Sequence, residues 1–137
     1  MKSKFFAISE LVNPAILSTI GEVACWRLLG QKVIDSLDAI RAAHGFPIFI
    51  NGKGMTDAGV RCQYSMTGAP NSRHKLLYEG VTAFDLHSDH LDDLRKMLVA
   101  NHTQFNIQRM EAEASTPGWC HIEIVETLSG DLVVFNP

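Results

Sequence analysis

Three of the six histidines and two aspartates fall in one stretch, NSRHKLLYEGVTAFDLHSDH, from Asn71 to His90. Their side chains are metal-capable, and a polar surface loop is the competing explanation for them. Alternation of side chains along a strand helps to decide. If VTAFDLH is a strand, Phe84 and Leu86 enter the core while Ala83, Asp85 and His87 share the other face. In TPGWCHIEIVE the same rule sends Cys120, Ile122 and Ile124 inward and leaves Trp119, His121 and Glu123 together. Were the two strands neighbours, Asp85 and His121 would project from one side of one sheet. His74, on the preceding loop, would then complete a set of two imidazoles and one carboxylate. Such a set fills three positions of a tetrahedral zinc ion and leaves the fourth to water, whose pKa falls to about 7. The adjacent pair Cys120 and His121 suggests a cysteine protease, but neighbours on a strand face opposite ways and cannot act as nucleophile and base.

The elements that must position these residues are legible in part. Asn13 and Pro14 have the types of a helix cap and first helical residue, and Gly21 is expected to break the region into two short helices before Gly30 closes it. Val33, Ile34, Leu37, Ile40 and Ala43 recur at helical spacing, and Gly45 is the natural stop. FPIFIN reads as a buried strand, and GKGMTDAGVRC as a glycine-rich loop. Leu91, Leu94, Leu98 and Val99 mark a third helix with Ser88 and Asp89 as cap candidates. FNIQRME, WCHIEIVE and DLVVFNP read as late strands, the last after an SGD turn. Helices first and strands late predict an α+β class, with N-terminal helices packed on a small antiparallel sheet.

A chain of 137 residues, 46% hydrophobic, is the size of a single domain spanning 1–137 and can bury one core unaided. Its net charge of -3, with scattered Lys and Arg, gives no electrostatic footprint for nucleic acid. Cys25, Cys62 and Cys120 form an odd, widely spaced set, which predicts reduced thiols in a cytosolic setting. The apolar run after Met1–Lys4 is too short for a signal peptide, and no run reaches the roughly 18 residues of a membrane span. The expectation is therefore a monomer without membrane insertion, cytoplasmic until something else releases it.

NSRH followed by TAFDLH and then TPGWCHIEI resembles the Ser-x-His, Ala-x-Asp and Trp-x-His elements of the zinc D-alanyl-D-alanine carboxypeptidases, which share a hedgehog-like fold with phage endolysin peptidases. Upstream, ELVNPAIL, LDAIRAAHGFPIFINGKG and DAGVR are similar to that family's helix, strand and arginine loop, with Ala58 where the family has serine. The resemblance implies that His74, Asp85 and His121 are zinc ligands. It implies that Arg61 binds and polarises substrate and that Ser72 supports the site; Trp119, by its residue type and place, reads as either a core aromatic or one wall of the cleft that contacts substrate. The family's catalytic acid precedes its Trp-x-His element, where this chain offers Glu111 and Glu113. Both share a face if the strand runs straight, and similarity to phage-type members favours Glu111. One departure is the spacing, since Asp85 comes eleven residues after His74 where the family has seven, so the loop Lys75–Val81 must bulge. The implied activity is zinc-dependent cleavage of a peptidoglycan peptide bond involving a D-amino acid. The alternative is a non-catalytic phage structural or cell-wall-binding module of the same fold.

Overall fold

In the computed structural model, which describes residues 1–52, 54–61, 72–75 and 80–137, Asn13 opens the first helix by accepting a hydrogen bond from the Ala15 amide at 2.8 Å. That side chain satisfies one of the amides a helix start leaves without a partner. Helix α1 spans Pro14–Leu29 and is broken at Gly21, whose φ of 82° and ψ of 168° lie outside helical space. Helix α2, Gln31–His44, stops where Gly45 takes the left-handed conformation, φ 76°. Both breaks occur where the sequence places them.

Helix α3 covers Leu91–Ala100, and its cap differs from expectation. The cap residue is His90, not Ser88 or Asp89, and no side chain closes it. The Ser88 hydroxyl is committed elsewhere, accepting from the His90 amide at 3.0 Å and lying 2.8 Å from His44 Nε2. His44, the last residue of α2, is buried. Burial, then repulsion from His90 and Arg41, lowers its pKa and favours the neutral ring.

The sheet contains β1 (Val81–Leu86), β2 (Ile107–Glu111), β3 (Cys120–Val125) and β4 (Val133–Phe135) in the order β1-β3-β2-β4. β3 pairs antiparallel with both β1 and β2, as expected, whereas β4 pairs parallel with β2. The sheet is therefore mixed, which corrects the antiparallel reading. The reason is topological: the chain leaves β3, passes over the end of β2 and returns along its far side. A strand antiparallel in direction to β3 is then necessarily parallel to β2.

FPIFIN also departs from its expected strand. Only Phe49 pairs, through an isolated bridge to His87, although Ile48 and Ile50 are buried. The outer edge of β1 is shared by two passing segments, since Phe49 and His87 exchange 2.8 Å hydrogen bonds while the Asp85 amide donates to Ala58 O at 2.7 Å. Neither segment follows the edge far enough to become a strand. Between them they tie the 48–61 region to the strand that carries Asp85. Asn51 braces this region from within, buried and bonded to Val12 O and the Ala58 amide.

One face of the sheet closes the core. Phe84 and Leu86 of β1, Met110 of β2 and Cys120, Ile122 and Ile124 of β3 join a buried cluster with Trp26 and Leu29 of α1, Ile34, Leu37 and Ile40 of α2, and Leu94 and Leu98 of α3. Each large side chain taken out of water there contributes about 1.5–3 kcal/mol. The opposite face carries Asp85, Arg109, Glu111, His121 and Glu123, with Ala83, Val133 and Phe135 beside them.

Candidate metal centre

That polar face carries a row across all four strands. Asp85 of β1 is paired with His121 of β3, and Glu111 of β2 with Phe135 of β4. The β2–β3 register runs Arg109 to Glu123 and Met110 to Ile122, so its next step sets Glu111 opposite His121. One row therefore reads Asp85, His121, Glu111, Phe135. The neighbouring row contains Ala83, Glu123, Arg109 and Val133.

His74 reaches the row from its loop and is buried. Its carbonyl accepts from the Arg61 amide at 2.8 Å, its amide lies 3.3 Å from Ser72 Oγ, and its Nδ1 is 2.9 Å from Gly59 O. The spacing departure from the family pattern does not keep His74 and Asp85 apart. Leu76–Glu79, within the expected bulge, lie outside the described residues, as does Cys62.

Three donor atoms converge. His74 Nε2 is 3.1 Å from both Asp85 Oδ1 and His121 Nδ1, and the last two are 2.9 Å apart. Tetrahedral ligands about 2.0–2.1 Å from a zinc ion stand about 3.3 Å from one another, so a shift of a few tenths of an ångström would fit the triangle to such an ion. The protonation pattern argues the same way. Gly59 O can only accept, so a neutral His74 keeps its proton on Nδ1 and turns the Nε2 lone pair to the centre. His121 Nε2 faces Glu123 Oε1 at 3.4 Å, which turns the Nδ1 lone pair inward too. With the carboxylate, three acceptor atoms then meet, and a cation or a shared proton must lie between them. His74, Asp85 and His121 thus form a buried group able to hold a metal ion.

In the metal-free protein a proton serves instead. Burial lowers the His121 pKa, but hydrogen bonds to Asp85 and Glu123 and the charges of Asp85 and Glu111 outweigh it and bring the value to about 9. Burial raises that of Asp85, and its side-chain contacts with His121 and His74 more than reverse it, holding the carboxyl well below its ordinary range. Because the His121 value is raised in the folded state, its contribution is fully present below the unfolded value of 6.5 and is lost as pH rises through about 9. The metal-free protein is therefore expected to lose about 3 kcal/mol between pH 6.5 and 9.5, read as a falling urea midpoint. An unchanged midpoint would contradict a protonated centre.

The remaining expected site residues divide clearly. A cleft of about 650 Å³ is lined by Arg61, Ser72, His74, Asp85, Glu111, Trp119 and His121, among others. Glu111 ends β2 inside this cleft, whereas Glu113 is exposed beyond the strand and is not part of the lining. The turn after Glu111 breaks the alternation that would have kept the two acids on one face. Arg61 is buried, with Nη2 3.6 Å from Asp85 Oδ2 and Nη1 3.5 Å from Ser72 Oγ. It braces Asp85 as well as bordering the cleft. Trp119 stands in the cleft wall beside His87, ring centroids 6.1 Å apart. Cys120 is fully buried on the core side, and burial pushes its thiol up to about 11, which removes it from nucleophilic chemistry.

Arg109, Glu123 and Phe135 also line the cleft and had no assigned role in the sequence reading. The signal for Glu123 was its position two residues after His121 on the same strand face. Arg109 stands two residues before Glu111 in the same way.

Comparison with protein-family models, curated proteins and solved structures returned no match.

Proposed function

We propose that this chain is a zinc-dependent peptidase that cleaves peptidoglycan peptide bonds involving a D-amino acid. The observation that carries the catalytic reading is the convergence of three inward-facing lone pairs with a cleft carboxylate, Glu111, next in the row to His121. The substrate class rests on the motif resemblance.

His74 Nε2, Asp85 Oδ1 and His121 Nδ1 would hold the ion. Bound there, zinc would supply Lewis acidity and make water a competent nucleophile at neutral pH. Glu111 takes a proton from the attacking water and returns it to the leaving amine nitrogen. Arg61 fixes Asp85 through Oδ2, and its charge at the cleft wall offsets the negative charge developing on the substrate carbonyl oxygen. Trp119 and Phe135, both in the cleft lining, offer apolar surface to the peptide.

The test is digestion of purified cell walls by zinc-loaded protein, with release of free amines followed and the products identified by mass spectrometry. Cleavage at a D-residue that stops when zinc is chelated and resumes when it is restored is the expected result. Zinc-loaded protein that binds walls without releasing amines would replace the peptidase with the non-catalytic module.

A further inference from the structure

Beside the three converging donor atoms, the polar face carries a buried charge that is not one of them. Glu123 is 2% exposed, and a carboxylate so placed must have partners. Two are present: Oε1 faces His121 Nε2 at 3.4 Å, and Oε2 faces Arg109 Nη1 at 3.4 Å. Arg109 is held in turn, with its guanidinium carbon 4.1 Å from the centroid of the Phe135 ring. The same Phe135 ring meets His121 edge-on, with centroids 6.0 Å apart and planes at 87°. Phe135, Arg109 and Glu123 therefore close a loop of contacts around the outer side of one imidazole.

We propose that Glu123, held by Arg109, is a positioning residue that fixes His121 as an Nδ1 ligand. This rests on the reading that His74, Asp85 and His121 hold a metal. An imidazole can present either nitrogen, and its choice is set by the hydrogen bond the other nitrogen makes. The His74 ring is fixed by a backbone carbonyl, Gly59 O, whereas the His121 ring depends on a side chain. Both contacts of Glu123 are long for hydrogen bonds, and a ring drawn onto an ion turns about its own Cβ–Cγ bond, so the contact can adjust as the metal enters. If Glu123 served only to balance Arg109, its loss would lower stability without changing which nitrogen faces the metal.

The experiment uses the full chain, labelled with nitrogen-15, at one fixed pH. Zinc affinity is measured by competition with a chromophoric chelator, and the His121 tautomer is read from long-range proton–nitrogen spectra. In the parent, His121 is expected to coordinate through Nδ1 and carry its proton on Nε2. Glu123→Gln keeps an acceptor oxygen and is expected to retain that tautomer, with affinity within about threefold of the parent. Glu123→Ala is expected to lose about 10–100-fold in affinity and to show a mixture of tautomers. Arg109→Met, which leaves the carboxylate in place but unheld, is expected to show an intermediate loss and remains informative if the alanine variant does not fold. A parent that binds zinc beside Glu123→Ala or Arg109→Met variants with unchanged affinity and a single Nδ1-coordinated tautomer overturns this inference alone. A parent that takes up no zinc overturns the metal reading with it.

Discussion

Glu111→Gln is expected to lower the rate of cell-wall peptide hydrolysis by about 10²–10⁴-fold while leaving zinc content unchanged. The amide keeps the size and the strand position of the acid but cannot take a proton from water. Zinc should remain because Glu111 is not among the three converging donors. Glu113→Gln is the matched control: Glu113 is exposed and outside the cleft lining, so its loss should leave the rate near that of the parent. Rates from single-turnover digestion of a defined cell-wall peptide, with metal content measured on the same samples, check both. A Glu111→Gln protein as active as the parent would remove Glu111 from the chemistry, and the reverse pattern would transfer the role to Glu113.

Gly59→Ala is expected to cost about 3 kcal/mol or more of stability and to weaken metal binding by tenfold or more. A Cβ built on Gly59 would stand 2.2 Å from Leu11 O and 2.8 Å from Leu11 C, closer than nonbonded atoms tolerate, and the clash is with backbone. Leu11 O cannot move freely, because it accepts the Val60 amide at 2.9 Å in the segment that binds the chain before α1 to the site. Displacing Gly59 instead would shift the carbonyl that holds His74 Nδ1. Fold and metal site thus meet at one backbone position. Urea denaturation with and without zinc separates the two costs, and a variant matching the parent in both would contradict the close approach.

The parts of the fold legible in the sequence were those set by local chemistry. Asn13 and Pro14 announced a helix start, Gly21 and Gly45 its break and the next stop, because each satisfies or interrupts backbone bonding within a few residues. Period-two alternation placed Asp85 and His121 on the polar face before their strands were known to pair, and their direct register then follows from β1 lying beside β3. What was not legible depended on distant partners. β4 follows β3 in sequence and yet lies beside β2, and nothing local in DLVVFNP specifies a parallel neighbour. FPIFIN has the composition of a strand, but the edge it would have joined is shared with Ala58. In the site, Glu111 and Glu113 were inseparable by alternation and are separated by a turn at the end of β2. Arg109 and Glu123 were visible only as residues two places from Glu111 and His121. Their pairing across strands required the register.

Of the three histidines in the polar stretch only His74 joins the centre; His87 lies against Phe49 O and Trp119, and His90 stacks on Phe46. The polar stretch supplies two of three donors, and the third arrives on the strand beside it. Measuring the metal content of protein purified without a histidine tag or added metal, beside His121→Ala, tests this most directly. About one zinc per chain in the parent, recovered after chelation and reloading and lost in the variant, is the predicted result. A parent that holds no metal even after zinc is supplied would contradict the account, leaving His74, Asp85 and His121 as a proton-sharing cluster.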